Sequence, residues 1–479
     1  MSDIGALARG VILTGLTEAP KPQWAGFAGY LMFSRNGTSA AELRAFTDAI
    51  RERCGDRPLI AIDQEGGRVA RLERGVEPMP SMMALGATGD AELAQRAGEQ
   101  VAFDLRRAGC TLDFGPVLDL ALDSANTVIG TRSLGSNPQR VAALGAAFAR
   151  GLTRGGILPC YKHFPGHGAT AVDSHDARPS LEVDEATLLA RDLAPFAAVA
   201  REAAAIMGAH VVVPCLDGEN PATLSPRIAT ELLRTQLGFG GALVTDCLEM
   251  KAIAPAPPVD ALNAGADLLI FSHSVDLALA AAAEIEAAVA RGDLPLARLE
   301  EAHARVTRLR EASNPPLPLD EFPPHPNVGR EIARRAITVL RGIPEASPLS
   351  SCAVSFGSGA ASLKREAPVL AELVLSLDPQ QVEMERAFAT LAQSDRRPIL
   401  LARRAHLHPA QAEAIAALVG RYPDALVVSL LEPFDLPLFG SARHLLAAYG
   451  DDAASIGGLA DVLFGNSLPA GKLPVALNL

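Results

Sequence analysis

Residues 57–67 read RPLIAIDQEGG: a four-residue apolar run, Leu59–Ile62, that stops at an aspartate and passes into paired glycines. Four apolar residues bounded by turn formers suit a strand buried on both faces, and the charge directly after it sits where such a strand emerges. The same pattern recurs along the first 275 residues, at Gly10–Leu13, Tyr30–Phe33, Thr111–Phe114, Leu158–Lys162, Ala205–Ala209, Ala242–Thr245 and Leu268–Phe271. Stretches with helical period, such as Ala91–Ala108 and Ala186–Ala204, lie between several of them. Alternating strands and helices imply parallel pairing with right-handed crossovers, and eight such strands predict an α/β fold built on a (β/α)8 TIM barrel.

After a helix expected over Pro295–Ala312 comes NPPLPLDEFPPHPN, residues 314–327, with six prolines in fourteen residues. Proline lacks the N–H that a helix or central strand needs, so the expected division is a barrel over 1–313, a Pro-rich linker over 314–328 and a second domain over 329–479. In that last part Ile337–Leu340, Ala353–Phe356, Ile399–Leu401, Ala425–Ser429 and Leu445–Ala448 read as strands, with helices at Pro409–Tyr422 and Ala453–Phe464. A smaller open α/β sandwich is the expectation.

The net charge of −12, with no clustered Lys/Arg run, argues against nucleic acid or an anionic membrane as partner. A small neutral substrate fits better, and oligomeric state is not readable. Six scattered cysteines suit neither a zinc site nor a disulfide scaffold and are expected to be reduced. The N-terminus makes a poor signal peptide and no apolar run reaches membrane-spanning length, so the expected location is the cytoplasm.

A parallel barrel gathers its active site at the carboxyl ends of its strands, which makes the residues after each run informative. They are ionisable: Asp63 after the third run, Lys162 and His163 at the fifth, His210 after the sixth and Asp246 after the seventh. One such Asp by itself reads as a helix cap or turn former, but their recurrence on successive strands favours a site. Residues 161–175, YKHFPGHGATAVDSH, add His167, Asp173 and His175. His163 and His167 would share a metal only on a helix, which Pro165, Gly166 and Gly168 oppose, so neither metal nor cofactor is expected. Asp173 and His175, two apart, can meet in an extended segment, as a carboxylate tuning an imidazole for proton transfer or as a structural clasp.

IDQEGGRVAR, GTRSLG, KHFPGHG, DSH, the segment PATLSPRIATELLRTQLGFGGALVTDCLEM and the closing PAGKLPV resemble, in order and spacing, glycoside hydrolase family 3. DSH after KHFPGHG is similar to its β-N-acetylglucosaminidase branch. The resemblance implies a retaining exo-glycosidase acting on cell-wall or chitin-derived fragments, with Asp246 as nucleophile and His175, paired with Asp173, as acid/base. It also implies sugar contacts from Asp63, Arg71, Arg132, Lys162 and His163. Two departures stand out: Ala169 and Cys247 occupy positions where the family often has acidic residues. The competing expectations are a β-glucosidase with a glutamate acid in the second domain, for which Glu372, Glu383 and Glu385 lie in no matching motif, an N-acetylglucosaminide phosphorylase, and a catalytically silent sugar-binding protein.

Overall fold

The computed structural model describes residues 3–477 except 56, 171–178, 254–256, 344–345, 358–361 and 466. Eight parallel strands close a barrel: β1 (Ile12–Gly15), β2 (Gly29–Met32), β3 (Leu59–Ile62), β4 (Leu112–Asp113), β5 (Leu158–Phe164), β6 (Ala205–Gly208), and, after a short hairpin of β7 (Val212–Val213) and β8 (Asp217–Pro221), β9 (Ala242–Cys247) and β10 (Leu268–Phe271). β10 pairs with β1 through Ile12 opposite Leu269, which completes the ring. Each of the eight apolar runs overlaps one of these strands, the first and fourth by two residues each.

The runs are uninterrupted because both strand faces are covered. Leu59 and Ala61 pack inside the barrel with Leu31, Cys160, Met207, Val244 and Ile270, whereas Ile60 and Ile62 pack outward against the helices. Side chains alternate with period two along a strand, so any residue in phase with the inner set points into the barrel when the strand ends. Asp63 follows Leu59 and Ala61 in phase, Lys162 follows Cys160, and Asp246 follows Ala242 and Val244.

The helix expected over Ala186–Ala204 is broken into Glu185–Thr187, a stretch of wide turns over Leu188–Asp192, and Ala194–Val199. Pro195 supplies no N–H to the ladder there, which forces the interruption. Residues 314–327 form neither helix nor strand. Arginines from the barrel helices hold this segment: Arg44 donates to the Leu317 carbonyl at 2.8 Å, Arg106 to Pro315 at 2.9 Å and Arg107 to Leu319 at 3.0 Å.

Beyond it the helix Val328–Ala336 packs on the barrel helices Met82–Thr88 and Ala91–Arg107. A six-stranded sheet follows: β11 (Thr338–Arg341), β12 (Ser351–Phe356), β13 (Ala371–Leu375), β14 (Arg397–Ala402), β15 (Leu426–Ser429) and β16 (His444–Ala447), in the spatial order 11-16-15-14-12-13. Only β11 runs antiparallel to its neighbour. The strand β13 was not among those expected from the sequence; it is an edge strand whose Val374 is exposed, so its residues carry no two-sided apolar signature. The chain then returns to the barrel: the Lys472 N–H donates to the Ala87 carbonyl at 2.9 Å and the Ser136 N–H to that of Pro474 at 3.0 Å. No helix among the described residues is long and apolar enough to cross a membrane.

Candidate active site

The inward phase of the strand ends brings ionisable groups together around one cavity of about 430 Å3, lined among others by Phe33, Asp63, Arg71, Lys162, His163 and Asp246. That volume lies in the range of small-molecule sites, roughly 300–1,000 Å3. Lys162, only 2% exposed, places its ammonium 2.7 Å from Asp63 Oδ1 and 2.6 Å from Glu65 Oε1. Arg132 meets Glu65 in a bidentate pair, with Nε and Nη2 each 2.8 Å from a carboxylate oxygen. Arg71 Nη2 lies 3.6 Å from the other oxygen of Asp63. Burial alone would raise the Glu65 carboxyl, but Arg132 and Lys162 overcome it and hold Glu65 ionised, far below the usual range. The same carboxylates keep Lys162 charged despite its burial.

A second carboxylate organises the KHFPGHG turn. Asp119 accepts His163 Nδ1 at 2.6 Å and, through its other oxygen, the His167 N–H at 2.7 Å. With Nδ1 donating to Asp119, His163 Nε2 faces Arg132 Nη2 at 3.5 Å. His167 lines the cavity, and its Nδ1 lies 2.8 Å from Thr170 Oγ1. Gly168 approaches the Leu120 backbone so closely that a Cβ there would lie 1.8 Å from the carbonyl oxygen. The close approach requires glycine.

Asp246 is the penultimate residue of β9, with Oδ1 accepting the Cys247 N–H at 2.7 Å. Burial pushes its carboxyl up, yet the neighbouring His210 and His163, together with that N–H, leave it below the ordinary value. An ionised carboxylate therefore sits at the inner wall of the cavity at neutral pH. His210 takes a place different from the expected one. Its Nδ1 lies 2.9 Å from Thr223 Oγ1 and its Nε2 3.0 Å from the Cys247 carbonyl, so the ring braces the backbone beside Asp246 and is not among the lining residues. β6 ends at Gly208, two residues before His210, so no strand phase aims this ring, and its two hydrogen bonds hold it against Thr223 and the Cys247 backbone.

Asp113, fully buried below the site, accepts the Gln64 N–H at 2.9 Å through one oxygen, while the other has no partner among the described residues. Burial pushes this carboxyl well above the ordinary value. Asp173 and His175 lie outside the described residues. Among those that are described, no group of three or more His, Cys, Asp or Glu is placed to hold a metal ion.

An array of carboxylates and cations at the C-terminal mouth of a parallel barrel suits a small polar substrate, as expected of a barrel enzyme. The profile of the glycosyl hydrolase family 3 N-terminal domain matches residues 23–309. The solved structure of a glycoside hydrolase family 3 β-N-acetylglucosaminidase from Paenibacillus sp. str. FPU-7 is 31% identical and superimposes with a TM-score of 0.91 over 100% of this chain and 99% of that one. A β-hexosaminidase of Chromobacterium violaceum is 38% identical over 269 residues, 53% of this chain and 75% of the relative. One from Pseudomonas aeruginosa is also 38% identical, over 53% of this chain and 78% of its own length. The chain belongs to glycoside hydrolase family 3 and is a glycoside hydrolase.

Proposed function

We propose that the enzyme is a retaining exo-β-N-acetylhexosaminidase that removes terminal N-acetylglucosamine from cell-wall or chitin-derived fragments. The observation that carries the reading is the ionised Asp246 carboxylate, facing a cavity in which Asp63, Lys162 and Arg71 offer acceptors and donors to sugar hydroxyls. Asp246 attacks the anomeric carbon as the glycosidic bond breaks, and the resulting glycosyl ester is opened by water on the opposite face, which restores the original configuration. His175, with Asp173 fixing its tautomer, gives a proton to the leaving oxygen and then takes one from the attacking water. Asp63 and Lys162 fix the ring, because a carboxylate beside an ammonium suits adjacent hydroxyls as acceptor and donor. Arg132 and His163 flank the same subsite. The names of the similar β-hexosaminidases and of the Paenibacillus β-N-acetylglucosaminidase support the choice of sugar.

The test compares kcat/KM on aryl β-N-acetylglucosaminide, β-glucoside and β-xyloside and follows the anomer released by NMR. The expected result is preference for the N-acetylglucosaminide with the β-anomer appearing first. A higher kcat/KM on the glucoside, or release of the α-anomer, refutes the proposal.

A further inference from the structure

Arg132 reaches the cavity from residues 123–132, a loop that follows β4, ends in one 3-10 turn over Gly130–Arg132 and joins no barrel strand. From the barrel side, Arg68 Nη2 donates to the carbonyls of Thr127 and Val128 at 2.5 Å each, and the Asn126 amide donates to the His167 carbonyl at 2.9 Å. From the second domain come two further contacts. His406 Nε2 lies 3.0 Å from the Ser124 carbonyl, and the Thr131 N–H donates to Glu432 Oε1 at 3.2 Å.

The second contact is the more telling. Glu432 is 3% exposed, and Arg404 Nε and Nη2 hold its two oxygens at 2.8 Å each. Its partner turn is shaped to receive it. Gly130 has φ +44°, in the left-handed region, and a Cβ there would lie 2.0 Å from Glu432 Oε1. The carboxylate therefore closes on the backbone one residue before Arg132, whose guanidinium in turn grips Glu65 beside Lys162. Glu432 itself does not line the cavity.

We propose that Glu432 is a positioning residue for the sugar pocket: the second domain, through this one carboxylate, fixes the Gly130–Arg132 turn and hence the aim of the Arg132 guanidinium. The reason is economy of constraint. A segment outside the strands has no ladder to hold its N–H groups, and a buried N–H left without an acceptor is costly, so a charged acceptor from the neighbouring domain locks one conformation. The kinetic part of the test rests on the N-acetylhexosaminidase reading; the exchange part does not.

The full-length chain is compared with Glu432→Ala, Glu432→Gln, Gly130→Ala and, as a control at the same domain interface, Arg335→Ala. That control removes the 2.7 Å contact to Asp90, remote from the turn. Hydrogen–deuterium exchange at the Thr131 amide should accelerate at least about tenfold in Glu432→Ala and much less in Glu432→Gln, which keeps an acceptor oxygen. KM for an aryl N-acetylglucosaminide should rise roughly tenfold in Glu432→Ala with a smaller change in kcat, since an ill-placed Arg132 weakens sugar binding first. Gly130→Ala, which drives the carboxylate off from the barrel side, should reproduce the KM rise without altering the second domain. Combined with Glu432→Ala it should cost less than the product of the two, because the clash disappears with the carboxylate.

Unchanged Thr131 exchange in Glu432→Ala overturns the proposal, as does an equal KM rise in Arg335→Ala, which would mark a general loosening of the interface. If Glu432→Ala does not fold, Gly130→Ala with unchanged exchange and KM overturns it. Should the unaltered enzyme fail to turn over N-acetylglucosaminides while Thr131 exchange responds as expected, the substrate reading falls and the positioning role stands.

Discussion

Replacing Glu65 by Gln keeps the side-chain shape and removes one buried negative charge. In the native protein that charge answers two cations, Arg132 at 2.8 Å and Lys162 at 2.6 Å. Breaking a buried ion pair by neutralising one partner costs about 3–5 kcal/mol. Lys162 retains Asp63 at 2.7 Å, and the amide oxygen of Gln still accepts one donor, which places the expected loss at the lower end, about 3 kcal/mol. The sole tryptophan, Trp24, is buried in the barrel, so its fluorescence during urea unfolding reports that domain. The Gln variant should unfold at clearly lower urea. The sign of the pH dependence follows from the depressed Glu65 carboxyl. Its contribution is fully present above the unfolded-state value of about 4.3 and is lost as pH falls through the folded-state value. The gap between the native protein and Glu65→Gln should therefore be constant from pH 8 to about pH 5 and shrink below about pH 4. Coincident urea midpoints at pH 7 would refute the assignment of Glu65 as the counter-charge of the site.

Three further outcomes are expected. Asp246→Ala should lose at least about a thousandfold in kcat with an unchanged unfolding midpoint, and a mechanism-based fluorosugar should label Asp246; a label on Glu249 would move the nucleophile. His175→Ala should slow a disaccharide far more than an activated nitrophenyl glycoside, as Brønsted plots would record, and equal losses would remove His175 from the acid role. Gly168→Ala, whose Cβ has no room against the Leu120 carbonyl, should displace the KHFPGHG turn and cut kcat/KM by at least about tenfold, read by steady-state kinetics; full activity would contradict the close approach.

What the sequence revealed about this molecule depended on burial. Barrel strands covered on both faces carry an apolar run before their polar ends, which made all eight visible, while the exposed edge strand Ala371–Leu375 and the polar hairpin strand Asp217–Pro221 offered no comparable run. Asp63, Lys162 and Asp246 were legible because each ends such a run in the inward phase. The same phase, continued by two, points to Glu65, whose role went unassigned because it lies past the strand end. Asp119 was also passed over, although a carboxylate inside the apolar stretch Val117–Leu120 is a signal in itself. His163 breaks the phase rule: β5 shifts register between Tyr161 and Phe164, an irregularity that its residue types do not announce.

The second domain meets the barrel at both ends of its own chain. It departs through a segment clasped by Arg44, Arg106 and Arg107 and comes back where Lys472 and Pro474 bond to Ala87 and Ser136. A body hung from one tether can swing about it like a door. One fastened at two separated points can still turn about the line that joins them, and here the Glu432–Thr131 and His406–Ser124 contacts oppose that turn as well, so the second domain serves as a strut for the barrel mouth.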